Sequence, residues 1–261
     1  MKYSVNHSTI YTYSHDVFLE PHLIRLCPRS DPGQRLLSYE LDIVPQPAGV
    51  SHGVDAENNP FHLAWFSYLT DRFEMNARFT VETLKTNPFD SFLTCADELP
   101  LSLSREERTV LAPCLDQNIY IIDERDRQAV DGIVEEAKVG AGTVVGFLSG
   151  LNRYLYETID KITRLDSGLQ SISRTLETAR GACRDTALVF MMACRAVSIP
   201  ARFVSGCQEG DPAEPGADLH GWAEVYLPGF GWRGYDPTYG LAVADRHVAY
   251  AASAIVANAA P

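Results

Sequence analysis

The sequence predicts an α+β protein of 261 residues, on three observations. Residues 1 to 98 alternate polar and apolar side chains between short turn clusters, the pattern of antiparallel strands. Beyond Pro88, apolar residues recur at helical spacing. A helix, strand, loop, hairpin order then runs from Arg180 to Gly240. The change of character divides the chain into a β-rich, sandwich-like N-terminal domain over 1–98 and an α+β domain over 99–261.

In the first domain, Lys2 to Tyr13 alternates, with Tyr3, Val5, Tyr11 and Tyr13 on one face. Phe18 to Leu26, Arg35 to Val44, Phe61 to Leu69 and Phe73 to Leu84 read as further strands. Turn clusters at 28–33, 45–49 and 57–60, rich in Pro, Gly, Asn and Asp, separate them. In the second domain, Ser104 followed by Glu107 is a capping box that opens a helix. Gln128 to Lys138 and Thr143 to Ile162 read as two more helices, and Val144, Phe147, Leu151, Leu155 and Ile159 form a core-facing stripe. Glu135 and Glu136 read as part of a solvated face. Gly140, Gly142 and Gly146 lack the spacing, the preceding strand and the lysine of a phosphate loop. Cys183 to Val197 reads as a helix, Ala201 to Cys207 as a strand, 208–218 as an exposed loop, and Leu219 to Leu227 with Trp232 to Tyr235 as a hairpin turned at Pro228–Gly231.

Composition excludes several classes of function. A net charge of −12 and no Lys/Arg run argue against nucleic acid and against anionic membrane surfaces. No apolar run reaches the ~20 residues of a membrane helix, and residues 1–7 hold no apolar signal core. A cytoplasmic location is the expectation. Six cysteines at irregular spacing, with no CxxC, read as free thiols. The histidines other than His220, namely His7, His15, His22, His52, His62 and His247, show no metal-ligand spacing, and His247 lacks a strand context. No metal and no organic cofactor are expected.

The residues that carry chemistry lie between 180 and 240. Cys183 follows a glycine-containing turn and opens a helix, where free N–H groups and the helix dipole favour a thiolate. Cys194 and Cys207 read as inert and structural. A thiolate needs a group that delivers a proton to the leaving atom, and imidazole does so near neutral pH. His220 opens the first strand of the hairpin. The base needs an orienting carboxylate, and Asp236 on the returning strand can reach the His220 end across the turn. Asp185, in the first helical turn, is accounted for by the helix dipole. Arg184 is left open between thiolate assistance and simple exposure. Trp222 and Trp232 read as packing across the hairpin.

The segments Arg180-Gly-Ala-Cys-Arg-Asp-Thr-Ala187, Gly206-Cys207, His220-Gly-Trp-Ala-Glu-Val-Tyr-Leu-Pro-Gly-Phe-Gly-Trp232 and Gly234-Tyr-Asp-Pro-Thr238 resemble the bacterial transglutaminase-like family in order and spacing. The first half resembles the β-rich region that precedes this domain in bacteria. The resemblance implies a papain-like core with Cys183 as nucleophile, His220 as general base and acid, and Asp236 as orienting carboxylate. The implied reaction is acyl transfer at a peptide or amide substrate through a thioester, as cysteine protease or amidase-type hydrolysis. Alternatives are transamidation, an acyl transfer resembling arylamine acetyltransferases, or a non-catalytic peptide-binding protein using the same groove. The second oxyanion donor is expected upstream, between Ser167 and Arg180. The chain departs from the family at Thr186, where a bulky aromatic is common, at Gly221, where alanine is common, and beyond Val248, where the family's closing stretch gives way to an alanine-rich end. The 208–218 loop is expected to border the cleft. The oligomeric state is not legible.

Overall fold

In the computed structural model, the structure describes the chain apart from Ser91, Phe92, Ala96, Leu165, Ser167 and residues 210–218. The N-terminal half holds six strands: β1 (Lys2–Phe18), β2 (His22–Ile24), β3 (Gln34–Val44), β4 (Gly49–Val54), β5 (Pro60–Trp65) and β6 (Leu69–Thr83). They form two antiparallel sheets, ordered β1-β6-β3 and β2-β5-β4. Period-2 alternation explains why: Phe73, Ala77, Phe79 and Val81 of β6 point inward against Leu19, Ile24, Leu26, Ala64 and Phe66. The two sheets share that core as a sandwich-like pair. Two expectations shift here. β4 falls in a stretch that the sequence left unassigned, and the Phe18 to Leu26 run shortens to three residues.

The second half begins with α1 (Arg105–Val110), whose capping box forms as read: Glu107 N–H donates to the Ser104 hydroxyl, and Ser104 N–H to the Glu107 carboxylate. Then come α2 (Ala112–Leu115), α3 (Glu124–Lys138), α4 (Val144–Thr158), α5 (Ile172–Thr178) and α6 (Cys183–Ala196). The two-residue strands β7 (Asp160–Lys161) and β8 (Arg180–Gly181) pair in parallel, Lys161 opposite Gly181. The predicted helix 143–162 thus ends at Thr158, and Lys161 lies in an extended segment beside the turn that leads into Cys183.

A five-stranded antiparallel sheet completes the fold, in the order β12 (Leu241–Ala242), β11 (Gly231–Asp236), β10 (His220–Leu227), β9 (Ala201–Gln208), β13 (His247–Ser253). α6 packs on β9 and β10 and is covered by α3, α4 and α5. Its residues from Asp185 to Arg195 are all buried, so the helix is apolar nearly all round, as a central helix must be. The alanine-rich end is itself a sheet strand, β13, and supplies the outer edge beside β9. The departure of this end from the family's closing stretch therefore does not cost the sheet its closing strand. Small residues suit the place: a Cβ on Gly206 would meet the Val248 carbonyl oxygen at 2.1 Å, so the two backbones approach as only glycine permits. Val248 and Tyr250 of β13 also enter the core of the N-terminal sandwich. Among the described residues no helix is long and apolar enough to cross a membrane.

Candidate active site

Strand direction brings the chemistry to one end of the sheet. β10 and β13 start where β11 ends, because β11 and β9 each run antiparallel to β10 and β13 is antiparallel to β9. His220 opens β10, Asp236 closes β11, His247 opens β13, and the N-terminus of α6 faces the same end with Cys183 in its first turn.

His220 and Asp236 are both buried, and His220 Nε2 lies 2.7 Å from Asp236 Oδ2. An ionised carboxylate only accepts, so Nε2 carries the proton. That leaves Nδ1 for the Cys183 thiol, to which the ring is hydrogen-bonded. Asp236 Oδ1 accepts the Thr238 N–H at 3.0 Å. The three residues singled out by the sequence are therefore brought together.

The same carboxylate oxygen holds a second ring. His247 Nε2 stands 2.9 Å from Asp236 Oδ2 and is buried. The sequence reading had this histidine outside any strand; it is the first residue of β13. The ligand atoms of His220, Asp236 and His247 lie within 4.8 Å of one another, although sequence spacing gave no hint of such a cluster. The 2.7 and 2.9 Å separations are hydrogen-bond lengths, whereas two ligands each ~2.1 Å from a tetrahedral zinc stand about 3.4 Å apart. As arranged, the cluster is a hydrogen-bonded network. Trp222 packs its indole edge-on against His247 at 5.1 Å and parallel to His220 at 6.1 Å. It supports the histidines. Trp232 packs across the hairpin against Tyr226, with Arg202 over its ring.

These contacts set the charges. Burial opposes a thiolate at Cys183, but the hydrogen bond from His220, the charge on that ring and the Gly221 N–H outweigh it and hold the thiol below its ordinary value. Burial also opposes a charged His220, but its bonds to Asp236 and Cys183 and their charges raise it to about 10. For Asp236, burial opposes ionisation and is overcome by the N–H donors of His220 and His247, which hold the carboxyl well below the carboxylate range. The arrangement favours a thiolate–imidazolium pair at neutral pH. The decoys behave differently: burial pushes Cys194 well above the usual thiol range, and it raises Cys207. All six cysteines are free.

The turn leading into Cys183 is fixed by Asp185, which is fully buried. It accepts from Ala182 N–H at 2.9 Å, from Gln170 N–H at 2.8 Å and from the Arg164 guanidinium at 2.6 Å. Asp185 therefore does more than complement the dipole. Arg184 donates to the Gly168 and Asp166 carbonyls and so clamps the preceding segment. In the 167–180 segment, the amide side chain of Gln170 donates to Thr175 Oγ1 and to the Arg180 carbonyl, which leaves it no free donor for an oxyanion. The expected 208–218 loop at the cleft lies outside the described residues beyond Glu209. Gly221 has a steric reason: a Cβ there would meet the Phe203 ring at 2.4 Å. Thr186 is buried and donates to the Ala182 carbonyl at 3.3 Å.

Two residues that the sequence did not flag close the site. Lys161 Nζ donates to Tyr239 Oη at 2.7 Å and lies 4.7 Å from the centre of that ring. The Tyr239 ring is 5.3 Å from His220.

Residues 3–82 match the family model of the bacterial transglutaminase-like N-terminal region, and residues 132–237 match that of the transglutaminase-like superfamily. The second half of the chain thus carries a transglutaminase-like core, and the first half the region that accompanies it in bacteria. A solved structure of a proposed cysteine protease from Cytophaga hutchinsonii superposes with a TM-score of 0.70 at 21% identity, over 100% of this chain and 84% of that one. The chain is 24% identical to an uncharacterized protein of Mycobacterium tuberculosis, over 95% of its own length and 82% of the relative's. It is 37% identical over 73 residues to a protein-glutamine gamma-glutamyltransferase of Pseudomonas aeruginosa. The chain covers only 14% and 11% of the two relatives that it matches above 30% identity.

Proposed function

We propose that this transglutaminase-like chain is a thiol enzyme that transfers acyl groups at amide bonds, with water as the usual acceptor. The observation that carries the reading is the fully buried Asp236 holding His220 by Nε2 at 2.7 Å, with Nδ1 turned to the thiol that opens α6. In this reading Cys183 is the nucleophile, His220 the proton carrier and Asp236 the orienting carboxylate.

The steps follow from the arrangement. The Cys183 thiolate attacks the amide carbonyl, and the negative charge moves to its oxygen. The Cys183 N–H, in the first turn of α6 and without an acceptor inside the helix, can donate to that oxygen. His220 Nδ1–H gives its proton to the nitrogen as the C–N bond breaks, and a thioester remains. Neutral His220 then takes a proton from water, whose oxygen attacks the thioester. The acid leaves, and the thiolate–imidazolium pair is restored. Asp236 stays ionised throughout and keeps Nε2 protonated.

Replacing water with an amine gives transamidation by the same thioester. The match to a gamma-glutamyltransferase favours this as the second reading.

Iodoacetamide labelling of Cys183 against pH, followed by peptide mapping, tests the proposal. An ordinary thiol titrates near 8.5. Rapid labelling of Cys183 is expected below pH 7, with the profile moving up towards the ordinary value in His220→Ala. Labelling no faster than that of Cys95 or Cys114, with no dependence on His220, would overturn it.

A further inference from the structure

We propose that Lys161 and Tyr239 form an anion-binding subsite beside the Cys183 thiol, which selects amides whose acyl half carries a carboxylate close to the scissile carbonyl. The inference rests on the reading of Cys183 as the nucleophile. It deepens that reading by naming the class of substrate.

The geometry starts from the backbone. Lys161 pairs with Gly181, two residues before Cys183, so its main chain flanks the nucleophile turn. Its side chain reaches away to Tyr239, three residues after Asp236, and meets the hydroxyl at 2.7 Å. The Tyr239 ring in turn lies against His220 at 5.3 Å. The lysine thus spans from the side of the nucleophile, where its main chain lies, to the Tyr239 ring that packs on the base, where its ammonium sits. The thiol and Asp236 act on it electrostatically.

Charge pairing explains why the ammonium is available. Lys161 forms no ion pair with a carboxylate among the described residues; its partner is a neutral hydroxyl. Arg164, the nearest basic neighbour along the chain, is bound to Asp166 and Asp185. The other anion within reach, Asp236, is matched by His220. Asp160, next in sequence, is exposed. In a chain with a net charge of −12, an ammonium that forms no ion pair with a carboxylate among the described residues, beside a reactive thiol, is a place for an anion that arrives with the substrate. Tyr239 Oη, which accepts from Lys161, keeps its own O–H to donate to the same anion.

Two alkylating reagents test this without a known substrate. Iodoacetate and iodoacetamide attack through the same thiolate, but only iodoacetate carries a carboxylate next to the reacting carbon. The ratio of their rates at Cys183 cancels any change in the thiolate population, and a merely structural role for Lys161 would not move it. The iodoacetate/iodoacetamide ratio is expected to fall about fivefold from wild type to Lys161→Met, the factor that a unit charge at ~4 Å carries even in water. It should be retained in Lys161→Arg and should decline with added salt in wild type but not in Lys161→Met. Tyr239→Phe should lower the ratio in the same direction. An unchanged ratio in folded Lys161→Met, with His220-dependent labelling intact in wild type, would overturn the subsite and leave the proposed function standing. Slow labelling independent of His220 in wild type would overturn both.

Discussion

A carboxylate with no exposure to water stays ionised only while donors surround it. Asp236 has three: His220 Nε2, His247 Nε2 and the Thr238 N–H. Its folded-state pKa lies below the unfolded value, so its contribution to stability is present above about pH 3.9 and is lost as pH falls from there. Asp236→Asn should remove up to one bound proton from the acid slope of stability. Urea unfolding between pH 5 and pH 3 measures that slope. Equal slopes in the two proteins would mean that ionisation of Asp236 is not linked to folding. The second donor, His247, is what the sequence could not offer. It stands between Arg246 and Val248, 11 positions beyond Asp236, with no spacing that ties it to the other site residues.

At the scale of elements, α6 sets the position of the thiol at one end and is anchored at the other by Arg195. This guanidinium is buried and forms no ion pair with a carboxylate among the described residues. It donates to the Ala201 carbonyl from Nε and Nη2, to Asp116 O at 2.7 Å and to Ala254 O at 2.8 Å. It thereby ties the end of the helix to β9, to the segment after α2 and to the turn that follows β13. Arg195→Met should strand those carbonyls and lower stability by about 3 kcal/mol, measured by denaturant unfolding at neutral pH. A loss below about 0.5 kcal/mol would mean that the carbonyls find water instead. The sequence read α6 within a residue of its observed end, since an apolar run bounded by Gly181 and Pro200 leaves little choice. It read Thr143 to Ile162 too long, because helical spacing continues to Ile159 while the backbone has already turned to pair Asp160 and Lys161 with Arg180 and Gly181.

At the scale of the molecule, the N-terminal sandwich completes the edge of the five-stranded sheet with side chains. The Gln34 amide donates to the Ala249 carbonyl and accepts from its N–H, both at 2.8 Å. The Asn59 amide treats Ala252 in the same way, at 2.9 and 2.8 Å. Both amides are buried. They pair with β13 as a neighbouring strand would, and so cover an edge that would otherwise be open. β13 carries His247, so the sandwich also steadies the strand that holds Asp236. Asn59→Ala should cost about 2 kcal/mol and speed hydrogen exchange in peptides spanning 247–253, with peptides from α6 less affected. Unchanged exchange over β13 would show that the strand is held by β9 alone.

The sequence by itself determined the α+β class, most of the elements and the meeting of Cys183, His220 and Asp236. Those features are written locally: alternation, a capping box, a glycine before a cysteine, and a hairpin short enough to fix which residues face each other. Only the tertiary structure decided that His247 shares Asp236, that Lys161 reaches Tyr239, and that Gln34 and Asn59 pair with β13. Each of these joins residues from elements far apart in sequence, or on strands that are not neighbours. Such contacts leave no period and no spacing to read, because the sheet order that creates them is fixed by packing of the whole core.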